Sequence, residues 1–267
     1  MELNVKNRVA LITGGDSGIG RETAKILARE GARIVLLDKT TDDLQATLNE
    51  IKSLGEACAV QADLRHYEEV EAAREQIVER FGTVDILVNC AGITGATGDF
   101  LELSDHDWQE TLEVDLMAAV RICRAFIPLM QQSGWGRIVL VTSEDAVQPY
   151  TDEMPYCAAK AGVLNLAKNL SKAYAQDGVL VNSVSPAFIA TPMTDAMMEK
   201  RAEKLGTSFD EAIASFLKEK RPHLELQRRG KAHEVAAVIA FLCSQLSSFV
   251  VGSNYRVDGG SVATINP

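Results

Sequence analysis

The sequence predicts an α/β fold, in which helices cover both faces of a doubly wound parallel sheet to give three layers. Two patterns indicate this fold. Short apolar segments without polar alternation recur along the chain, as in strands buried on both faces of a sheet, and amphipathic segments of helical period separate them. The 267 residues contain no Pro- or Ser-rich linker and no internal repeat, so we expect a single domain over residues 1–267.

The predicted elements alternate regularly. The segments predicted as strands span 8–13, 33–37, 56–61, 85–88, 137–142, 180–185 and 254–257. The first predicted helix ends at Glu30 and Gly31, and the others span 42–54, 67–81, 107–132, 155–175 and 232–244. Each strand–helix–strand unit at this spacing implies a right-handed crossover, and hence parallel strands.

Residues 193–230 depart from this alternation. The segment has no strand pattern, and its apolar residues recur at helical spacing, which predicts helices. Long insertions at strand ends commonly form lids or substrate loops. We therefore expect a helical substrate loop that is mobile when the site is empty, with a fixed helical hairpin as the alternative.

The composition excludes several classes of function. Hydrophobic residues make up 46% and charged residues 24%, which is ordinary globular usage. The 27 basic and 37 acidic side chains give a net charge of −10, which argues against nucleic acid as a partner. The five cysteines are scattered and never spaced as CxxC, so neither a metal site nor a disulfide framework is expected. The N-terminus has no apolar signal core and no apolar run reaches the ~20 residues of a membrane span, so we expect a cytoplasmic protein without membrane contact.

A glycine-rich string, residues 13–20 (TGGDSGIG), lies between the first strand and the first helix. Glycines there permit a tight turn and the approach of a pyrophosphate to the helix N-terminus, whose free N–H groups and dipole attract negative charge. The strand–turn–helix context supports a dinucleotide site. The residues predicted to contact the dinucleotide are Gly14, Asp16, Ser17, Gly18, Ile19 and Gly20.

Asp38 closes the second strand. Its carboxylate could accept hydrogen bonds from both ribose hydroxyls of an adenosine and would repel a 2′-phosphate, which favours NAD over NADP. Asp16 adds a second negative charge, whereas Lys39 could pair with a 2′-phosphate. Two carboxylates against one lysine predict NAD, and the alternative is that Asp38 merely ends a strand.

Tyr156 and Lys160 are four residues apart in a predicted helix, so their side chains project from one face. A neighbouring ammonium favours the phenolate and moves the pKa of Tyr156 towards the working range of an acid or base. An isolated YxxxK pattern is common by chance and usually has no structural or functional significance. Here Ser143 also follows the fifth strand, at the sheet edge where ligands bind in open parallel sheets, and the three residues together predict a catalytic group.

With these motifs in this order, the chain resembles the single-domain, Rossmann-type short-chain dehydrogenase/reductase family over almost its whole length. The matching residues follow successive predicted strands, and each alone is a weak signal. In chain order they are 13–20, Asp63 and Leu64, 89–92 (NCAG), Ser143, Tyr156, Lys160, Pro186, 191–193 (TPM) and 257–260 (VDGG).

The resemblance implies a role for each matching residue. Tyr156 would be the general acid/base and Ser143 the hydroxyl that polarises the substrate carbonyl. Lys160 would lower the tyrosine pKa and bind the nicotinamide ribose, and Asp63, with Leu64 beside it, would hold the adenine amine. The other implied cofactor contacts are Asn89, Ala91 and Gly92 near the ribose, Pro186 against the nicotinamide ring, and Ile189 and Thr191 at the carboxamide.

Three positions depart from the family pattern. Asp115 stands where the catalytic tetrad of the family usually has asparagine; it could still accept a hydrogen bond from a water leading to Lys160, but it adds a negative charge. Residues 185–187 (SPA) replace the usual Asn-Pro-Gly. Glu144 and Asp145 follow the serine, where small or apolar residues are common, and are expected to be either solvated or acidic elements of the substrate pocket.

The sequence thus predicts an NAD-dependent oxidoreductase that interconverts a small-molecule secondary alcohol and a ketone. An NADP-dependent 3-oxoacyl reductase is the runner-up. A non-catalytic dinucleotide-binding protein is supported only by Asp115, and a Rossmann methyltransferase would leave Tyr156 and Lys160 unexplained. By analogy with the family, the helices at 107–132 and 155–175 would form an interface of a homotetramer.

Overall fold

Parallel strands occupy the centre of the structure, a computed structural model that describes residues 2–40 and 42–265. Seven of them are Val9–Thr13 (β1), Arg33–Asp38 (β2), Ala57–Gln61 (β3), Ile86–Asn89 (β4), Gly136–Val141 (β5), Val179–Pro186 (β6) and Asn254–Val257 (β9). They form one sheet in the order β3-β2-β1-β4-β5-β6-β9, with every pairing parallel. The predicted doubly wound Rossmann-type fold is confirmed, and the strand order reverses between β1 and β4.

Nine α-helices connect the strands in the described part of the chain. They are Gly18–Arg29 (α1), Asp42–Lys52 (α2), Tyr67–Phe81 (α3), Asp105–Leu112 (α4), Ala118–Ser133 (α5), Met154–Tyr174 (α6), Pro192–Leu205 (α7), Phe209–Lys220 (α8) and Ala232–Leu242 (α9). Most predicted boundaries fall within two residues of these. The single helix predicted over 107–132 is wrong in one respect, because a π-helical turn, Glu113–Met117, separates α4 from α5.

The core lies on both faces of the sheet. Val9 and Leu11 of β1 point into a cluster formed with α3, α5 and α6, whereas Ala10 and Ile12 point into a second cluster formed with α1, α2 and α9. All four side chains are fully buried. Burial of successive residues on opposite faces explains why these strands are continuously apolar.

The helices α7 and α8 form most of the segment that departs from the strand–helix alternation. They pack around a small cluster of their own, in which the ring centroids of Phe188 and Phe216 are 4.7 Å apart. A two-residue parallel pairing that the sequence did not predict, between Ile189–Ala190 (β7) and Gly230–Lys231 (β8), joins the two ends of the segment. Its role as a substrate lid stays a prediction.

A bilayer crossing needs a long apolar helix, and none of the helices within residues 2–40 and 42–265 meets that requirement.

Candidate active site

A cleft of about 380 Å³ runs along the carboxyl ends of the strands, across the point where the strand order reverses. In open parallel sheets this is where ligands bind. The cleft brings together nearly all the residues predicted as catalytic or cofactor-binding. Those that line it are Gly14, Asp16, Ser17, Gly18, Ile19, Gly20, Asp38, Lys39, Asp63, Leu64, Ala91, Gly92, Ser143, Tyr156, Lys160, Pro186, Ile189 and Thr191.

The glycine turn leaves the N-terminus of α1 open to this cleft. Gly14 has φ +61°, and a side chain there would place its Cβ 2.9 Å from the backbone nitrogen of Ala91. Ser17 precedes α1 in extended conformation, and its side chain makes no capping hydrogen bond. The first N–H groups of the helix therefore keep their hydrogen-bonding capacity for an anionic ligand, so the residues fit the pyrophosphate of a dinucleotide.

Carboxylates gather at one end of the cleft, which we call the Asp38 end. Asp38 Oδ1 accepts hydrogen bonds from the backbone nitrogens of Lys39 (2.7 Å) and Thr40 (3.3 Å). Burial, and then the charge of Asp38, raise the pKa of Asp16. Asp16 and Asp38 are thus close enough for their charges to interact at this end of the cleft.

Asp63 at the same end is paired with Arg65, a residue not predicted from the sequence. Arg65 Nη2 lies 2.6 Å from Asp63 Oδ2 and hydrogen bonds from Arg65 hold the pKa of Asp63 at about 2. Arg65 also lines the cleft. A basic residue two positions after Asp63 was the available signal for this second cation.

Tyr156 and Lys160 lie at the other end of the cleft, which we call the Tyr156 end. Both project from the first turns of α6, which has a proline among its first residues, a favoured position for starting a helix. Lys160 is buried, with its Nζ 5.4 Å from the centroid of the Tyr156 ring and 3.5 Å from the carbonyl oxygen of Val141. Ser143 follows β5 and faces the same space.

The pKa of Tyr156 is raised, whereas the sequence predicted that Lys160 would lower it. Burial raises it well above its usual value, and the charges of Asp145 and Asp115 raise it further, while a hydrogen bond with Ser143 opposes this effect. The prediction depended on Lys160 alone, whereas burial and the two carboxylates dominate in the folded protein.

Asp115 does not line the cleft; it lies behind Gly92 in the π-helical turn. Its side chain is buried, with Oδ1 accepting a hydrogen bond from the Ile93 nitrogen (2.8 Å) and Oδ2 without a partner among the residues that the structure describes. A Cβ atom on Gly92 would lie 2.8 Å from Asp115 Oδ1 and 3.2 Å from Lys160 Nζ. Burial raises the pKa of Asp115 and Lys160 opposes this effect.

Asn89 is the other predicted residue outside the cleft lining. It is buried at the end of β4, where its Oδ1 accepts a hydrogen bond from Thr13 Oγ1 (2.8 Å) across the β1–β4 pairing. Its side chain supports the cleft floor from behind, and its contact with a cofactor stays a prediction.

Glu144 and Asp145 are neither solvated nor part of the cleft lining, so both expectations for them were wrong. They are 1% and 3% exposed in a short 3₁₀ turn directly after Ser143. Arg221, at the end of α8, donates to Glu144 Oε1 (3.1 Å) and to both carboxylate oxygens of Glu153 (3.2 Å). Arg221 and Glu153 were not predicted from the sequence, because the contacts of Arg221 join residues far apart in the chain.

No group of three or more His, Cys, Asp or Glu side chains suited to a metal ion occurs within residues 2–40 and 42–265. The five cysteines are free thiols, four of them buried.

Comparison with known proteins adds to this geometry. The model of the short chain dehydrogenase family matches residues 8–202. An uncharacterized oxidoreductase of Bacillus subtilis, YvrD, is 34% identical over 99% of this chain and 100% of its own length. A 3-oxoacyl-[acyl-carrier-protein] reductase of Thermotoga maritima is 32% identical over 97% of this chain and 100% of its own length. The crystal structure of L-sorbose reductase from Gluconobacter frateurii, complexed with NADPH and L-sorbose, superimposes with a TM-score of 0.93 at 34% identity, covering 99% of this chain and 100% of that one.

Proposed function

The chain belongs to the short-chain dehydrogenase family, and from this premise we propose that it is an NAD-dependent oxidoreductase that interconverts a secondary alcohol and a ketone. Membership of the family carries oxidoreductase chemistry at a CH–OH or keto group with a nicotinamide dinucleotide. The observation that most supports the proposal is one continuous cleft joining the glycine turn and Asp38 to Ser143, Tyr156 and Lys160.

In the proposed reaction Tyr156 transfers the proton. The hydroxyl proton of the alcohol passes to the Tyr156 oxygen during oxidation and returns to the carbonyl oxygen during reduction. Ser143 orients the substrate oxygen, and the Lys160 ammonium stabilises the phenolate. Asp115, with a free Oδ2, would accept a hydrogen bond from a water beside Lys160. A bound nicotinamide supplies or accepts the hydride.

The proposed preference for NAD depends on charge at the Asp38 end. A 2′-phosphate would approach Asp38 and Asp16, whose carboxylates repel it. Of the two cations there, Arg65 is already paired with Asp63, which leaves Lys39 as the main attraction.

An NADP-dependent 3-oxoacyl reductase is the second candidate. Lys39 and Arg65 both line the cleft, and either cation could attract a 2′-phosphate bound at the Asp38 end. The Thermotoga maritima relative is a 3-oxoacyl reductase, and the related sorbose reductase was solved with NADPH. If Arg65 were released from Asp63, its positive charge would attract the 2′-phosphate and favour binding of NADP.

A substrate screen tests the proposal directly. Four pairs serve as probes: 2-butanol and 2-butanone, cyclohexanol and cyclohexanone, sorbitol and sorbose, and ethyl 3-hydroxybutyrate and ethyl acetoacetate. The absorbance of the reduced cofactor is followed in both directions with NAD(H) and NADP(H). We expect turnover of at least one pair, at a faster rate with NAD(H) than with NADP(H). Tighter binding of NADPH than of NADH in a fluorescence titration would contradict the cofactor assignment. A protein that binds NADH but converts none of the pairs would support a non-catalytic role.

Three further features belong to the same proposal. We propose a homotetramer with α5 and α6 at an interface, by analogy with the family, which light scattering after gel filtration tests. We propose a cytoplasmic location, since free thiols suit a reducing compartment. We propose that α7 and α8 form the substrate loop, because residues 191–194 at the start of α7 line the cleft; hydrogen exchange with and without NAD tests this, and equal protection in both states would favour a fixed hairpin.

A further inference from the structure

A buried arginine directly after α8 contacts both the turn that follows Ser143 and the residue that precedes α6. Arg221 is 7% exposed. Its Nε donates to Glu144 Oε1 at 3.1 Å, and its Nη2 lies 3.2 Å from each carboxylate oxygen of Glu153. One guanidinium therefore joins two carboxylates that belong to different elements of the fold.

Each of these carboxylates lies close in the chain to a proposed catalytic hydroxyl group. Glu144 directly follows Ser143 and begins a 3₁₀ turn. Glu153 directly precedes α6, and its backbone oxygen accepts a hydrogen bond from the backbone nitrogen of Cys157 at 2.9 Å. Tyr156 lies within the helical turn that this bond closes. A displacement of either carboxylate would therefore be passed to one of the two hydroxyl groups.

Aromatic rings also hold the guanidinium of Arg221. Its central carbon lies 3.6 Å from the centroid of the Tyr150 ring and 5.1 Å from that of the Phe216 ring. Tyr150 belongs to the loop before α6, where its backbone oxygen accepts from the nitrogen of Glu153 at 3.1 Å, whereas Phe216 belongs to α8. A stacked, planar guanidinium presents its N–H groups in fixed directions, so the position of α8 determines where both carboxylates lie.

Burial makes this ionic cluster an unlikely source of stability. Glu144 and Glu153 are 1% and 8% exposed, so both carboxylates have lost most of their solvation. Apolar side chains of similar volume commonly stabilise a fold as well as a buried ion pair does. What Arg221 supplies that apolar packing cannot is a directed hydrogen bond to each carboxylate.

We propose that Arg221 is a positioning residue for the reaction, fixing Ser143 through Glu144 and Tyr156 through Glu153. This inference rests on the proposed oxidoreductase function. Arg221 does not line the cleft, so it acts through these residues and not on the substrate. Because Arg221 directly follows α8, a helix of the proposed substrate loop, it also links the position of that loop to the geometry of the two hydroxyl groups.

The variant Arg221→Lys keeps the charge and removes the planar fork. One ammonium cannot reproduce the fixed donor directions towards both carboxylates. We expect kcat for the fastest pair of the screen to fall by roughly 10- to 100-fold, the effect of a small misplacement of reacting groups, with KM and the dissociation constant of NADH nearly unchanged. Such a split marks groups that act only in the transition state. A wild-type kcat, or a loss confined to KM, would overturn the proposal.

A role in charge balance alone gives a different result. Removal of Arg221 by itself would leave buried carboxylates without a partner and could unfold the protein. Arg221→Met is therefore combined with Glu144→Gln and Glu153→Gln, so that no charge remains in the cluster, and circular dichroism checks the fold. We expect this triple variant to be as slow as Arg221→Lys. A wild-type kcat in the triple variant would show that Arg221 only balances charge and would overturn the positioning role.

Two matched controls separate positioning from general damage. Lys220→Gln removes an ion pair with Asp152 (2.8 Å) that also links α8 to the loop before α6, but the two side chains are 43% and 41% exposed, and surface pairs contribute little. Arg137→Lys makes the same change at another buried arginine, which lies 4.4 Å from the Trp135 ring centroid near the start of β5. Both should keep a wild-type kcat.

The outcomes for the two proposals are distinct. An equal loss of kcat in Arg137→Lys and Arg221→Lys would indicate general damage and overturn the positioning role. A wild-type rate in Arg221→Lys would overturn that role and leave the proposed function standing. Failure of the wild-type protein to convert any pair of the screen would overturn the proposed function itself.

Discussion

Asp38 and Asp63 at one end of the cleft lie in surroundings opposite to those of Asp115 and Asp145 behind the other end. At the Asp38 end, Asp38 and Asp63 are partly exposed and accept hydrogen bonds from backbone N–H groups one or two residues ahead, and the pKa of Asp63 is about 2. At the Tyr156 end, Asp115 and Asp145 are buried, and burial raises the pKa of each. Carboxylates of the first kind are suited to act as fixed charges, and those of the second to exchange protons.

The largest expected effect tests whether the Tyr156 end is catalytic at all. Tyr156→Phe keeps the ring and removes the hydroxyl, so we expect turnover to fall by roughly 10²–10⁴-fold while the dissociation constant of NADH stays within a factor of about two. Steady-state rates and cofactor fluorescence measure the two quantities. Tyr174→Phe, which changes a partly buried tyrosine at the far end of α6, should leave both unchanged. A nearly normal rate for Tyr156→Phe would show that the site has been assigned to the wrong residue.

The next effect tests the Asp38 end as a fixed charge. Asp38→Ala removes the proposed acceptor for two ribose hydroxyls, and a hydrogen bond to a charged group contributes about 1.5–3 kcal/mol, so we expect NADH to bind roughly 10- to 100-fold more weakly. NADPH should lose less or gain, because a repulsive carboxylate has gone. Asp43→Ala, an exposed aspartate nearby, is the control. Equal weakening of both cofactors would contradict a role for Asp38 in choosing between them.

The Asp38 end was predictable from sequence because its signals are local. The glycine turn and Asp38 follow two adjacent strands, and parallel strands bring their carboxyl ends to one edge of the sheet. Tyr156 and Lys160 were also predictable, since one turn of helix fixes their common face. In each case the residues that form the site are close together in the chain or follow a strand.

The surroundings of the Tyr156 end could not be predicted in the same way. Arg221 lies 77 residues from Glu144 and 68 from Glu153 in the chain, and no local sequence pattern predicts that these side chains form ion pairs. Asp115 lies in a π-helical turn, a rare element that the helical period of the sequence does not distinguish from an α-helix. Burial of Glu144 and Asp145, the main cause of their raised pKa values, follows from these distant contacts.

A smaller effect tests whether a buried carboxyl group at the Tyr156 end holds a proton. The pKa of Glu153 in the folded protein is about 7, against 4.5 when it is unperturbed. The folded state therefore binds the proton more tightly, and this contribution to stability is complete below about pH 4.5 and is lost as the pH rises to 7. Glu153→Gln cannot ionise, so relative to wild type we expect it to gain about 2 kcal/mol between pH 5 and pH 8.

Urea unfolding at a series of pH values measures this difference. Glu219→Gln, an exposed partner of Arg201, should run parallel to wild type, since a surface ion pair contributes little. If the wild-type and Glu153→Gln curves ran parallel as well, Glu153 would be an ordinary ionised partner of Arg221, and the contrast between the two ends of the cleft would be smaller than we infer.

The smallest expected effect concerns Asp115, the carboxylate that replaces the asparagine usual in the family. The charge of Asp115 raises the pKa of Tyr156. No hydrogen bond joins Asp115 to Tyr156 among the described residues: its Oδ1 accepts from the Ile93 nitrogen and its Oδ2 has no partner there. Asp115→Asn should therefore act by charge alone, shifting the rise of the oxidation rate to lower pH and leaving the maximal rate equal or slightly higher. The pH profile of the oxidation rate from pH 6 to pH 10, compared with that of wild type, measures this shift. A loss of maximal rate in Asp115→Asn would show that the carboxylate, whose pKa is influenced by Lys160, has taken on a role that an amide cannot fill.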